Sequence, residues 1–105
     1  MEHLFVSFKI KKEYLEQAKR IIIEFVDQIK NNESGTLTYK CFQEKADSTS
    51  FIHVMTFQNE EAEELHRHTD YVKKFIDKLY PMCEKEPEFS ELNLICSNYS
   101  KISEH

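Results

Sequence analysis

The sequence predicts an α+β domain of order β-α-β-β-α-β, and three observations predict it. Apolar residues alternate over 3–11, 35–45, 50–58 and 89–98, the period of a strand, but recur at helical spacing over 12–31 and 69–83. The only glycine, Gly35, stands just after the long helical pattern and just before an alternating run. Strands one and three are apolar at both parities, which a sheet covered on one side alone does not require.

In strand one, Leu4, Val6, Phe8 and Ile10 share a face, opposite Phe5, Ser7 and Lys9. The first helix aligns Tyr14, Leu15, Ala18, Ile21, Ile22, Phe25 and Ile29 on one stripe and leaves charged residues for the remainder. Asn31, Asn32 and Gly35 end it, with Gly35 expected to supply the left-handed backbone of the exit. Strand two sets Leu37, Tyr39 and Cys41 against Thr36, Thr38, Lys40 and Phe42, and 46–49 is a polar hairpin turn. Strand three sets Phe51, His53, Met55 and Phe57 against Ile52, Val54 and Thr56. Asn59 caps a short acidic helix over 60–68, and Thr69 or Asp70 caps the next. That last helix carries Val72, Phe75, Ile76, Leu79 and Cys83, and Pro81 and Pro87 bring it to an end. Strand four and a short tail follow. This is the ferredoxin-like arrangement, helices on one face of an antiparallel sheet. Its apolar second face calls for a partner, and a homodimer packed through its sheet faces into a dimeric α/β barrel supplies one.

At 105 residues the chain makes one domain, 1–105, with its core over about 3–97. Fourteen basic against nineteen acidic residues give a net charge of −5, which argues against nucleic-acid and anionic-membrane partners. Ile21-Ile22-Ile23 is too short to span a bilayer, and Met1-Glu2-His3 opens no signal peptide, so a cytoplasmic location is expected. Cys41, Cys83 and Cys96 lack the spacing of a zinc or redox motif and are expected to be buried, reduced thiols.

Two segments carry the chemistry: Glu33-Ser34-Gly35-Thr36-Leu37-Thr38-Tyr39 and His66-Arg67-His68-Thr69-Asp70-Tyr71. With their Gly-x-x-x-Tyr and His-x-x-Thr patterns, and with the order of elements, the chain resembles the antibiotic biosynthesis monooxygenase family, and within it the quinol monooxygenases. The resemblance implies a dimeric barrel with an apolar pocket in each subunit and oxygenation without flavin or metal. The substrate is then a small quinol-like or polyhydroxylated aromatic, and no cofactor or metal site is expected.

His66 lies at the edge of that pocket and can accept a phenolic proton, its ordinary pKa being near working pH. A structural histidine at the turn between the two helices is the plainer reading. Tyr71 can orient a substrate oxygen; Tyr39 can do the same or support the fold, as the family's tyrosine does. His53 is a polar group in an apolar stripe, so it lines the pocket, meets the other subunit or bonds a neighbour. Phe75 and other aromatic side chains wall the pocket. Ser7 is counted with the pocket residues because it stands near the place where haem-degrading relatives carry an asparagine, but the chain has no tryptophan to abut a macrocycle, which demotes haem degradation. His66 and His68, two apart on a helix, do not converge on a metal. Arg20 and Arg67 are the only arginines, and both look exposed. A non-catalytic small-molecule-binding dimer and a cofactor-free isomerase or decarboxylase are the alternatives on the same scaffold.

Overall fold

The structure, a computed structural model, describes residues 1–99. It contains β1 (Glu2–Lys9), α1 (Leu15–Asn32), β2 (Thr36–Gln43), β3 (Ser50–Phe57), α2 (Glu60–Arg67), α3 (Asp70–Leu79) and β4 (Glu88–Leu92). The four strands form one antiparallel sheet in the order β2-β3-β1-β4. This is the ferredoxin-like topology, with helices on one face. No helix among the described residues is long and apolar enough to cross a membrane.

Period decides which residues face the helices. On β1, Val6 and Phe8 are buried, and Ile10 just beyond it; on β3, Phe51, His53, Met55 and Phe57 are buried while their neighbours are half-exposed. From above, α1 buries Ala18, Ile22, Phe25 and Ile29, spaced four, three and four apart as one helical stripe requires. Each large side chain taken fully out of water here contributes about 1.5–3 kcal/mol before entropy is set against it. The opposite sheet face carries Phe5, Phe42, Ile52, Val54 and Leu92, of which Phe42 and Leu92 are exposed.

Both expected caps form: the Asn59 side chain accepts from Ala62 N at 2.8 Å, and Thr69 Oγ1 accepts from Val72 N at 3.3 Å. The first helical pattern starts with a single 3-10 turn, Lys12–Tyr14, before α1 proper. Four expectations need correction. Gly35 does not have a positive φ. What demands glycine is proximity: a Cβ there would stand 2.7 Å from Ala62 Cβ, so any side chain would push α2 off the start of β2. Cys83 is not helical, because Pro81 falls in a 3-10 turn, Tyr80–Met82, after which Cys83 is extended and bridges Ile10. The fourth strand stops at Leu92 rather than near residue 98. Running antiparallel to β1, it pairs Leu92 with His3 and there reaches the beginning of its partner strand. Finally, only Cys83 is fully buried; Cys41 is half-buried and Cys96 exposed. The end of the expected tail, with His105, lies outside the described residues.

Candidate functional site

Between the helices and the sheet lies a cavity of about 400 Å³, within the range that holds small organic ligands. Its walls are mostly apolar: Val6, Met55, Phe57, Phe89, Phe25 and Phe75 line it. The last two rings stack with centroids 3.9 Å apart and planes within 10°. Such walls keep water away from whatever occupies the space.

Two histidines break the apolar surface, and each is held by a different device. His53 points inward from the middle of β3 and is 1% exposed. Its Nδ1 lies 2.7 Å from the Tyr39 hydroxyl on the neighbouring strand β2. Its Nε2 is buried and has no hydrogen-bond partner among the described residues. Burial pushes the imidazole pKa down from 6.5 to about 4, so the ring is neutral at working pH. Burial likewise pushes the Tyr39 phenol well above its ordinary value, with smaller contributions from Cys41, Glu33 and Tyr80.

His66 comes from the last turn of α2. Its Nδ1 is 2.8 Å and 3.1 Å from the two carboxylate oxygens of Glu33, which ends α1 and is itself buried. Glu33 gathers further donors: the Thr36 hydroxyl at 2.6 Å and the Tyr71 hydroxyl, in a short bond. Burial first, then Glu33, raises the Tyr71 phenol above its ordinary pKa, so it stays protonated and donates. Local sequence explains the convergence. The close seat of Ala62 on Gly35 lowers α2 onto the end of α1. Thr69 then ties the α2–α3 junction, donating to His66 O at 2.9 Å while capping α3. A carboxylate on Nδ1 leaves Nε2 as the nitrogen of His66 available on the side of the ring away from Glu33.

Of the residues singled out from sequence, His66, His53, Tyr39 and Phe75 line this cavity together. Tyr71 does not line it; its hydroxyl stands behind His66, on Glu33, and its ring borders a smaller groove between α1 and α3. Ser7 is on the opposite sheet face, paired across from Ile52 and Glu88, because its parity is opposite to that of Val6 and Phe8. His53 points towards the helices, away from the face that a second subunit would cover. Arg67 is exposed, as expected; it also borders the cavity mouth, with its side chain held to Glu63 at 2.5 Å. Glu33 was missed as a site residue: it sits in the motif segment, but nothing in its spacing points at His66 thirty-three positions away. No cluster of three or more His, Cys, Asp or Glu suited to a metal occurs among the described residues.

Residues 1–78 match the profile of a protein family described as antibiotic biosynthesis monooxygenase. Solved structures agree on the fold. The crystal structure of an antibiotic biosynthesis monooxygenase superposes with a TM-score of 0.85 at 16% identity, covering 91% of this chain and 100% of that one. A candidate antibiotic biosynthesis monooxygenase from Bacteroides thetaiotaomicron gives a TM-score of 0.85 at 19% identity, with 97% and 95% covered. One from Caulobacter crescentus gives 0.84 at 18% identity, with 90% and 89% covered. No protein of curated function matches the chain.

Proposed function

The chain belongs to the antibiotic biosynthesis monooxygenase family, and from that premise we propose that it oxidises a small quinol-like or polyhydroxylated aromatic with O2, without a cofactor. The observation that carries this reading is His66 on the wall of an apolar cavity of about 400 Å³, held from behind by the buried Glu33 carboxylate. Glu33 accepts the Nδ1–H hydrogen bond of His66, which leaves Nε2 as a base for a phenolic proton. Tyr71 and Thr36 act one step further out, fixing the carboxylate that fixes the imidazole. Deprotonation makes the ring electron-rich enough to reduce O2 directly. A C–O bond then forms at a ring carbon. Loss of that carbon's proton and cleavage of the O–O bond follow, and one oxygen leaves as water. The balance is quinol plus O2 to hydroxyquinone plus water, with every electron supplied by the substrate. Apolar walls favour the sequence by excluding the water that would quench the intermediates.

The test is oxygen uptake by chelator-treated protein with a panel of pre-reduced quinols and polyhydroxylated aromatics, against a protein-free control. His66→Ala is expected to cut protein-dependent uptake by about 10²–10⁴-fold, the usual weight of a positioned base. Uptake that needs no protein, or that survives in His66→Ala, refutes the assignment. Binding of the same aromatics without uptake favours the non-catalytic binding protein instead.

The working form in this reading is a homodimer whose second copy covers Phe5, Phe42, Ile52, Val54 and Leu92. Its support is that both faces of β1 and β3 are apolar while helices cover only one of them.

A further inference from the structure

Among the described residues, one buried side-chain polar atom is without a partner: His53 Nε2, on a residue that lines the large cavity. An orphan of this kind costs about 1–3 kcal/mol, and native structures rarely keep a buried polar atom that nothing satisfies. Which polarity it presents follows from Tyr39. A neutral imidazole donates through one nitrogen and accepts through the other. If the Tyr39 hydroxyl donates to Nδ1, at 2.7 Å, both of those atoms are satisfied and only an Nε2–H is left over. The opposite tautomer strands the Tyr39 hydroxyl proton as well as an Nε2 lone pair. Counting orphans therefore selects the tautomer with the proton on Nε2.

The two cavity histidines are thus opposite in sense. Glu33 makes His66 an acceptor through Nε2, and Tyr39 makes His53 a donor through Nε2. The walls between them are aromatic: Phe25 and Phe75 stack on each other, and the Phe75 ring lies 6.0 Å from that of His53 at 29°. Such a space is complementary to a planar aromatic that carries an accepting oxygen.

We propose that His53 is a ligand-binding and specificity-determining residue, whose Nε2–H donates to a carbonyl or phenolate oxygen of a planar aromatic held in this cavity. The assignment deepens the reading of the cavity as the substrate site, but it does not depend on oxygen chemistry. It gives the site a rule of selection. A ligand of the right shape that lacks the oxygen leaves the donor stranded and binds more weakly.

Two measurements test it. Long-range ¹H–¹⁵N NMR on uniformly labelled protein reads the tautomer: Nε2 of His53 should carry the proton, and its resonance should move on titration with 1-tetralone. Affinities for 1-tetralone and for tetralin, its oxygen-free twin, read the selection. The wild type should prefer the ketone by about tenfold, or about 1.4 kcal/mol. Tyr39→Phe, which keeps the ring, should release the tautomer and shrink that preference; His53→Leu should abolish it. A proton on Nδ1, equal affinity for the two probes, failure of 1-tetralone to bind, or a preference unchanged in His53→Leu overturns the proposal. Should His53→Leu not fold, the wild-type tautomer and the Tyr39→Phe ratio still decide. A protein that selects the ketone yet consumes no oxygen with any quinol loses the oxygenase reading and keeps this one. One that consumes oxygen through His66 without selecting the ketone does the reverse.

Discussion

Replacing Glu33 by glutamine keeps the shape of the residue and removes one acceptor oxygen together with the charge. Three donors meet that carboxylate: His66 Nδ1–H at 2.8 Å, the Thr36 hydroxyl at 2.6 Å and the Tyr71 hydroxyl. Two oxygens with about four lone-pair sites accommodate all three, whereas an amide offers one oxygen and two N–H groups of its own. With the amide nitrogen beside His66, Nδ1 must become an acceptor and the proton moves to Nε2. With the nitrogen beside Tyr71, the phenol loses its acceptor. Removing the charge along with the oxygen avoids the larger cost of an uncompensated buried ion. The loss should then be that of a charge-assisted bond, about 2 kcal/mol, read as the change in denaturation free energy. The effect on activity should be greater. A base whose lone pair has been turned away is out of action, so oxygen uptake should fall by about 10²–10⁴-fold. ¹⁵N shifts of His66 report whether the tautomer has turned. Uptake within about threefold of wild type in a variant whose Nε2 is demonstrably protonated refutes the role given to His66. Unchanged stability and an unchanged tautomer refute the buried carboxylate hub itself.

Acid should weaken the fold through His53. Its pKa is held at about 4 by burial, against about 6.5 in an unfolded chain. Between those values the unfolded chain binds the extra proton and the fold does not. Stability should therefore fall as pH drops through that window, by on the order of 3 kcal/mol, and this contribution should level off below it. The ¹³Cε1 shift of His53 should still report a neutral ring at pH 5; a midpoint near 6.5 contradicts the burial. Gly35→Ala should cost about 1–2 kcal/mol through the clash with Ala62, net of a small gain from stiffening the unfolded chain. Ala62→Gly in the same chain should restore much of that loss, and strict additivity of the two changes counts against the contact. Val54→Glu, on the outer sheet face, should leave circular dichroism unchanged and convert a sedimenting dimer to a monomer. A wild type that sediments as a monomer removes the homodimer from the proposal.

What the sequence disclosed follows the reach of periodicity. Alternation groups His53 with Phe51, Met55 and Phe57 on one strand face but leaves open which layer covers that face, while Asn59, and Thr69 or Asp70, mark two helix starts by residue type alone. Periodicity carries no information about distances between elements. Glu33 is an unremarked acid at a helix end until α2 is folded over it, and nothing in the spacing of the exposed Arg67 shows that its turn also borders a cavity. The backbone rule for helix exits predicts a left-handed Gly35, whereas the operative constraint is a through-space neighbour twenty-seven residues on. Position along the strand points Ser7 to the pocket, whereas its parity sets it on the other face.

The Tyr39–His53 hydrogen bond joins two adjacent strands of a single hairpin, only fourteen residues apart in sequence. His66, by contrast, reaches the cavity from a two-turn helix, α2, anchored by Glu33, by Thr69 and by the seat of Ala62 on Gly35. One polar group is therefore fastened to the pleated floor, and the other is carried by a helix laid over it. Relatives or variants that accept bulkier aromatics have an inexpensive route open to them. Lifting α2 by changes around Gly35 and Ala62 enlarges the chamber and displaces the base, while the hydrogen-bond donor below keeps its register. On the proposed reading, the size of the chamber and the polarity of its donor are governed by separate parts of the chain, so each can change without undoing the other.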